Sequence, residues 1–251
     1  MDYFRPGSVK DALILLAHKN TIPLAGGTYL TSVKPQTKNL IDLQDIGLDK
    51  INNKSNFIQI GPMVRLQELF KSQLITEPFR TALKLEAPLN IRNSVSLGGQ
   101  IIKSSGRSSL ATSLLAMDAN ISVEPGNFTY SFLEFIMNIR DTLQNKLITN
   151  IKFKAKTKLA FQYISRTTFD LPIICVATTI TPRDKIRIAL GGYGEYPVLA
   201  YEGSYSDTLN LFSGKAFAHA EDEWASASYR SAMAETLTRR CLDQLMQNRD
   251  L

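Results

Sequence analysis

Two pairs of adjacent glycines, each directly after a short apolar run, constrain this chain more than any other sequence feature. They occur in PLAGGTYL at residues 23–30 and in SVSLGGQI at residues 94–101. Glycine reaches positive φ and lets other groups approach the main chain, but inside a helix or strand it costs roughly 0.5 to 1 kcal/mol relative to alanine. Each pair is therefore expected to form either a tight turn or a cradle for a ligand.

The segments around the first pair read as strand, glycine pair, helix, with IPLA at 22–25 before it and TYLTSV at 28–33 after it. Such a turn exposes backbone N–H groups where the helix dipole is positive, which suits phosphate oxygens. Neither GxGxxG nor the P-loop GxxxxGK[ST] occurs in the sequence. Two alternatives follow from the spacing alone: two ordinary tight turns, or a dinucleotide held by two separate glycine loops.

The rest of the hydrophobic pattern predicts an α+β protein. Helices and strands mix up to about residue 156, and beyond it the pattern suits a largely antiparallel sheet and one long helix over residues 227–247. The chain has 251 residues, and domains typically have about 100 to 150. We expect a domain at 1–156, with subdomains of about 1–53 and 54–156, and a second domain at 157–251.

Composition narrows the chemistry. The net charge is +6, but the basic residues are scattered, so we expect a solvated surface and no nucleic-acid partner. Cys175 and Cys241 are the two cysteines and belong to no CxxC, so no metal centre is expected, and the two histidines leave little for a catalytic triad. No stretch approaches the roughly 18 apolar residues of a membrane span, and the N-terminus lacks a signal-peptide core. The simplest expectation is a cytoplasmic protein.

Several stretches, in the order in which they occur, resemble one family: the FAD-binding (medium) subunits of molybdenum hydroxylases such as xanthine dehydrogenase and carbon monoxide dehydrogenase. The AGGT-type loop of that family is matched by residues 25–28, and its IRN and TIGGN-type segments by residues 91–93 and 96–100. Its DLAPALLALDA helix resembles SLATSLLAMDA at 109–119. The ordered combination is far more specific than any single piece.

The second half of the chain continues the resemblance. RTTFDLP at 166–172 matches the RxxxDxP segment of the family, and IALGGYGEYP at 188–197 and SASYRSAMAETLTRR at 226–240 match its C-terminal domain. The chain length and LIDLQDIGLDKI at 40–51 look most like the short FAD-binding subunits associated with selenate reductases or xanthine dehydrogenases of enteric type. The resemblance thus spans nearly the whole chain.

The resemblance implies a fold. It is the vanillyl-alcohol-oxidase-like (PCMH-type) FAD-binding fold, in which two α/β subdomains clasp FAD, followed by an α+β domain like the C-terminal domain of carbon monoxide dehydrogenase flavoproteins. This agrees with the α+β pattern read from the residues.

The resemblance also implies which residues bind non-covalent FAD. The first loop would wrap the pyrophosphate and ribityl chain through backbone N–H groups, and the second loop would approach from the other side. Further contacts would come from Ile148, a strand residue against the isoalloxazine, from Gln162 near the edge of that ring system, and from Ser109, which begins the DLAP-type helix. The implied positions are Ala25, Gly26, Gly27, Thr28, Tyr29 and Leu30, then Ser96, Gly98, Gly99 and Gln100, and lastly Ile148, Gln162 and Ser109.

Three of these positions depart from the family pattern. Gln100 stands where the family usually has asparagine, Ser109 where it has aspartate, and Gln162 where it usually has a lysine near the flavin edge. None of these changes removes a backbone donor. Ile148 and Gln162 are also open to interpretation as plain strand residues.

The function implied is that of an electron-transfer subunit with no catalytic side chain of its own. It would accept electrons from the [2Fe–2S] clusters of a small subunit, beside a molybdopterin-binding large subunit, and pass them to NAD or another acceptor. The alternative, motivated by Gln100 and Ser109, is a non-catalytic scaffold subunit with a degenerate FAD site. In either case the substrate site would lie on another chain.

Overall fold

The computed structural model describes residues 2–33, 39–168, 170–181 and 184–247. Phe169 of the RTTFDLP motif lies outside these residues. The chain forms two compact units, each assembled from separate segments. The first unit comprises Met1–Ser72, Leu89–Lys103 and Asn120–Phe153, and the second comprises Gln73–Pro88, Ser104–Ala119 and Lys154–Leu251. The division at residue 156 is a different partition and stays a prediction about domains.

The first unit contains two sheets. A parallel three-stranded sheet has the order β1-β3-β2 and is formed by β1 (Tyr3–Phe4), β2 (Thr21–Leu24) and β3 (Asn39–Asp42). A five-stranded sheet has the order β4-β5-β8-β6-β7 and is formed by β4 (Ile51–Lys54), β5 (Phe57–Ile60), β6 (Asn120–Glu124), β7 (Phe128–Ser131) and β8 (Leu147–Lys154).

Helices connect and cover these strands. They are α1 (Val9–Leu16), α2 (Thr28–Val33), α3 (Leu66–Lys71), α5 (Leu89–Arg92), α6 (Leu97–Lys103), α8 (Phe132–Met137) and α9 (Ile139–Thr142). Helix α1 begins after Ser8, whose hydroxyl accepts a hydrogen bond from the Asp11 N–H and so caps the helix. Its buried residues Ala12 and Leu16 pack with Ile41 of β3 in one core cluster. The apolar face of α1 therefore packs against the parallel sheet.

The second unit has one antiparallel sheet with the order β12-β11-β10-β9. Its strands are β9 (Lys158–Ile164), β10 (Ile174–Ile180), β11 (Ile186–Gly191) and β12 (Val198–Gly203), and its helices are α4 (Glu77–Glu86), α7 (Ser109–Ala116), α10 (Leu209–Ala216) and α11 (Ala227–Gln247). Every residue of β10 and β11 is buried. The prediction of an antiparallel sheet followed by a long helix over 227–247 is confirmed.

The IALGGYGEYP and SASYR motifs of the second unit take part in the packing of its core. Gly192 has a φ of +123°, and a Cβ on Gly191 would overlap the Thr112 hydroxyl and lie 2.8 Å from Cys175 Sγ. Arg230 of the SASYR segment is fully buried. Its guanidinium donates to the carbonyl oxygens of Ile173, Ala220 and Ala225 at 2.8–3.2 Å and to the Asp222 carboxylate at 2.7 Å. These residues hold the sheet against α11 and its preceding loop.

Two ionisable groups of this core have displaced pKa values. Burial raises the pKa of the Cys175 thiol and of the Cys241 thiol to about 12, so both stay protonated and inert near neutral pH.

No helix in the described part of the chain is both long and apolar enough to cross a bilayer.

Candidate functional site

A cleft of about 330 Å³ lies in the first unit. Its walls come from the β2–α2 turn, the segment after β3, the residues after β5, helix α6 and the start of β8. Every predicted site residue that belongs to the first unit lines it: Ala25, Gly26, Gly27, Thr28, Tyr29, Leu30, Ser96, Gly98, Gly99, Gln100 and Ile148. Residues more than 120 positions apart in sequence thus meet at one surface.

The first glycine pair forms the turn that its sequence predicts. Gly27 has a φ of +70°, a left-handed conformation that non-glycine residues rarely adopt. The Gly27 carbonyl accepts from the Thr31 N–H at 3.0 Å and from the Thr31 hydroxyl at 2.8 Å, which fixes the turn onto α2. Among the residues that the structure describes, the backbone N–H groups of Gly26, Gly27 and Thr28 donate to no protein atom. The turn therefore presents free donors beside the cleft.

Gly26 serves a different purpose from Gly27. A Cβ at this position would overlap the Ser94 carbonyl oxygen and lie 2.9 Å from Val95 Cα and 3.0 Å from the Ser96 nitrogen. The backbone that leads into the second glycine pair therefore packs directly against the first pair. Only glycine allows this approach.

The second pair is not a tight turn, because Gly98 and Gly99 lie in the first turn of helix α6. Its backbone donors are already used inside the protein. The Gly98 N–H donates to the Pro62 carbonyl at 2.8 Å, and the Gly99 N–H donates to the Ser96 hydroxyl at 3.2 Å. The Gln100 N–H donates to the Ser96 carbonyl at 2.9 Å. The first pair therefore presents free backbone donors, whereas the N–H groups of Gly98, Gly99 and Gln100 are bonded within the protein.

Lysines supply the charge of the cleft, and its walls are apolar. The charged residues among its lining are Lys103 and Lys146, and no acidic residue of the described chain lines it. The apolar walls are formed by Leu16, Ile22, Leu43, Ile46, Leu48, Met63, Val95, Ile102, Leu143, Leu147 and Ile148. Such a lining fits a ligand with a large apolar or aromatic part and an anionic part. Sequence reasoning missed both lysines as site residues, because neither belongs to a recognisable motif.

Two predicted site residues lie in the second unit. Ser109 begins α7 and is fully buried, and its hydroxyl has no hydrogen-bond partner among the described residues. Gln162 lies in β9 opposite Val176 of β10 and is partly buried. Their assigned contacts with FAD stay predictions.

Comparison with known proteins decides the family. Residues 1–153 match the family described as the FAD binding domain in molybdopterin dehydrogenase. This chain belongs to that family. It is also 32% identical to the Escherichia coli K12 protein YgfM over 194 residues, which are 76% of this chain and 73% of that protein.

Solved structures share the fold of this FAD-binding family member over nearly its whole length. Quinoline 2-oxidoreductase from Pseudomonas putida 86 matches with a TM-score of 0.82 and 18% identity, over 99% of this chain and 97% of that one. Carbon monoxide dehydrogenase from Hydrogenophaga pseudoflava, in a form lacking the Mo-pyranopterin moiety of its molybdenum cofactor, matches with a TM-score of 0.79 and 23% identity, over 97% and 96% of the two chains. The predicted α+β FAD-binding fold is confirmed.

The chain is thus an FAD-binding subunit of the molybdenum hydroxylase family, an oxidoreductase flavoprotein, and its cofactor is FAD. The residues of the cleft fit that cofactor. The bare backbone at Gly26 and Gly27 leaves free N–H donors for anionic oxygens, the lysines add positive charge, and the apolar walls suit an aromatic ring system. When bound, FAD supplies the electron-accepting chemistry that amino-acid side chains lack.

Proposed function

We propose that this chain is the electron-transfer subunit of a molybdopterin-dependent hydroxylase or dehydrogenase. It takes electrons from the [2Fe–2S] clusters of a small partner subunit and passes them to NAD or another acceptor. A molybdopterin-binding large subunit carries the substrate site. The observation that carries the proposal is the first-unit cleft, with its free donors at Gly26–Thr28, in a chain of the molybdopterin dehydrogenase FAD-binding family.

The residues of the cleft have a binding and shielding role in this proposal. The N–H groups of the first glycine turn hold anionic oxygens of the cofactor, because unpaired backbone donors gain most from charged acceptors. The buried part of the walls, including Ile148 at 6% exposure, excludes water from the ring system. Excluding water strengthens every polar contact made inside the cleft.

The proposal of a molybdopterin-binding partner is supported by the match to the FAD binding domain in molybdopterin dehydrogenase and by the molybdenum cofactor of the carbon monoxide dehydrogenase that shares the fold. The proposed partners are the [2Fe–2S] subunit and the large molybdopterin subunit, with NAD as one candidate acceptor, and a cytoplasmic location is part of the proposal. Neither a nucleic acid nor a membrane is part of this proposal.

Anaerobic spectroscopy on the purified chain tests the proposal. The protein should be yellow and should release FAD on acid treatment. Mixing with the chemically reduced [2Fe–2S] partner should bleach the visible flavin band, and bleaching by NADH would identify NAD as the acceptor. A yellow protein whose flavin band is untouched by the reduced partner would contradict the electron-transfer role.

A scaffold with a degenerate FAD site is the second candidate. It is favoured by the second glycine pair, whose N–H groups are already bonded within the protein, and by the buried, unpartnered Ser109 hydroxyl. This candidate predicts a colourless protein that takes up no FAD during titration, yet still joins the partner subunits in a pull-down. A yellow protein that titrates with FAD excludes it.

A further inference from the structure

The charge of the first-unit cleft is unbalanced. Its lining contains the ammonium groups of Lys103 and Lys146 and no carboxylate of the described chain. Lys103 is the last residue of α6, and Lys146 directly precedes β8. Neither lysine forms an ion pair with any residue that the structure describes. The cleft thus holds positive charge that the described residues do not neutralise.

Aromatic rings hold both lysines in place. Lys103 Nζ lies 5.6 Å from the centroid of the Tyr29 ring, and Lys146 Nζ lies 4.6 Å from the centroid of the Phe128 ring. A cation over an aromatic face is attracted to the ring while its N–H donors stay available to an anion. The rings therefore orient the ammonium groups and leave their N–H donors available for hydrogen bonds.

Lys103 is the better placed of the two for an anion at the first glycine turn. Its aromatic partner Tyr29 lies two residues beyond Gly27, within the turn of α2 that follows the free donors of Gly26–Thr28. Lys103 reaches this turn from α6, the helix whose first-turn N–H groups are occupied by Pro62 and Ser96. The helix that offers no free donor at its glycine pair thus offers a cation at its other end.

We infer that Lys103, assisted by Lys146, binds the diphosphate of FAD and completes the cradle begun by the first glycine turn. This inference rests on FAD being the cofactor of the cleft. The two phosphates of FAD are anionic, and a charge-assisted hydrogen bond is roughly twice as strong as a neutral one. The lysines therefore select the dinucleotide form of the flavin over riboflavin, which has no phosphate.

Titration of apoprotein variants with FAD and with riboflavin tests the inference. Lys103→Gln should raise the Kd for FAD about tenfold, the loss expected for one charge-assisted contact, and leave the Kd for riboflavin unchanged. Lys146→Gln should give a smaller rise for FAD, and Lys103→Arg should restore most of the affinity. The salt dependence of FAD binding should become shallower in Lys103→Gln, because one fewer charge takes part.

Lys152→Gln is the matched control. Lys152 Nζ also lies over an aromatic ring of the first unit, 5.9 Å from the Phe57 centroid, but Lys152 does not line the cleft. Its FAD affinity should equal that of the unaltered protein. Lys103 is exposed, so Lys103→Gln and Lys103→Arg should have the same thermal unfolding midpoint as the unaltered protein.

The outcomes separate the inference from the cofactor assignment. An unaltered protein that binds FAD, with Lys103→Gln binding it equally well, overturns the lysine role and keeps FAD as the cofactor. An equal loss of FAD and riboflavin affinity in Lys103→Gln also overturns it, because it shows damage unrelated to phosphate. Failure of the unaltered protein to bind FAD overturns both.

Discussion

The two glycine pairs look alike in sequence and differ in structure. Gly26 and Gly27 form a turn with a left-handed residue and free backbone donors, whereas Gly98 and Gly99 begin helix α6 with their donors bonded to Pro62 and Ser96. The first pair is therefore suited to meet a ligand. The second pair mainly lets α6 pack closely against its neighbours.

Each of the four glycines also has its own reason for lacking a side chain. At Gly26 a side chain would collide with neighbouring backbone, and at Gly27 the backbone φ is positive. At Gly98 a Cβ would lie 2.7 Å from the Cβ of Pro62. Gly99 would place a Cβ 3.0 Å from the Ser96 hydroxyl alone. Alanine at each of the four positions should therefore lower the free energy of unfolding by a different amount, and these amounts can be ranked.

Gly26→Ala should have the largest effect. Its Cβ would overlap backbone atoms of Ser94 and Val95, which cannot turn away as a flexible side chain could. We expect a loss of about 3 kcal/mol in the free energy of unfolding, the upper part of the range for overpacking. Urea denaturation followed by circular dichroism measures it.

Gly7→Ala is the control for this substitution, because nothing lies within 4 Å of a Cβ at Gly7 and its φ is not positive. A Gly26→Ala protein as stable as Gly7→Ala would mean that the two glycine segments do not pack as described. The ranking of the pairs would then lose its physical basis.

The long C-terminal helix and the central strands of the fold could be predicted from the sequence, whereas helix α6, which contains the second glycine pair, and four of the edge strands in the described sheets could not. The C-terminal helix α11 and strands β8, β10 and β11 follow from their hydrophobic patterns. The strands that the pattern does not predict are β1, β4, β7 and β12, and each lies at the edge of its sheet. An edge strand has one neighbour and much exposed surface, so its sequence, such as INNK in β4, carries little apolar alternation.

The candidate site divides in the same way. The motif residues could be placed by resemblance, and those of the first unit do meet at one cleft. The hydrogen bond of the Gly98 N–H could not be predicted, because its acceptor, the Pro62 carbonyl, comes from a segment 36 positions earlier in the chain. The place of Lys103 and Lys146 in the cleft could not be predicted either, because it depends on contacts with aromatic rings that are distant in sequence.

Gly98→Ala should cost less than Gly26→Ala, about 2 kcal/mol, because the clash is with the Pro62 side chain and part of the cost is offset by the better helix propensity of alanine. The free energy of unfolding measures this value. Combining it with Pro62→Gly should recover part of the loss, since the clashing Cβ is gone. Strict additivity of the two substitutions in a double-mutant cycle would count against a direct contact.

Gly27→Ala should cost about 1 to 2 kcal/mol through backbone strain alone. A Cβ there would lie 3.5 Å from Leu24 Cδ1, an ordinary contact, so there is room for the side chain. Gly27→Asn should be less costly, because asparagine tolerates the left-handed region better than alanine. Equal unfolding free energies for the two variants would argue against strain as the cause.

Gly99→Ala should have the smallest effect and gives the sharpest test of the difference between the pairs. Gly99 has no positive φ, and its closest contact to a new Cβ is the rotatable Ser96 hydroxyl at 3.0 Å. Alanine gains up to about 1 kcal/mol of helix propensity, which offsets the crowding. We therefore expect the free energy of unfolding to change by less than about 0.5 kcal/mol, the usual size for a substitution without a specific mechanism.

The FAD affinity of the same variant carries the argument further. If the second pair acts through packing, Gly99→Ala should bind FAD within about twofold of the unaltered protein, a difference of less than 0.5 kcal/mol. A normal unfolding free energy combined with a large loss of FAD affinity would instead show that the cofactor meets the backbone at Gly99. The two glycine pairs would then be alike in function despite their different hydrogen bonding, and the free donors of Gly26–Thr28 would no longer explain how the cleft recognises its ligand.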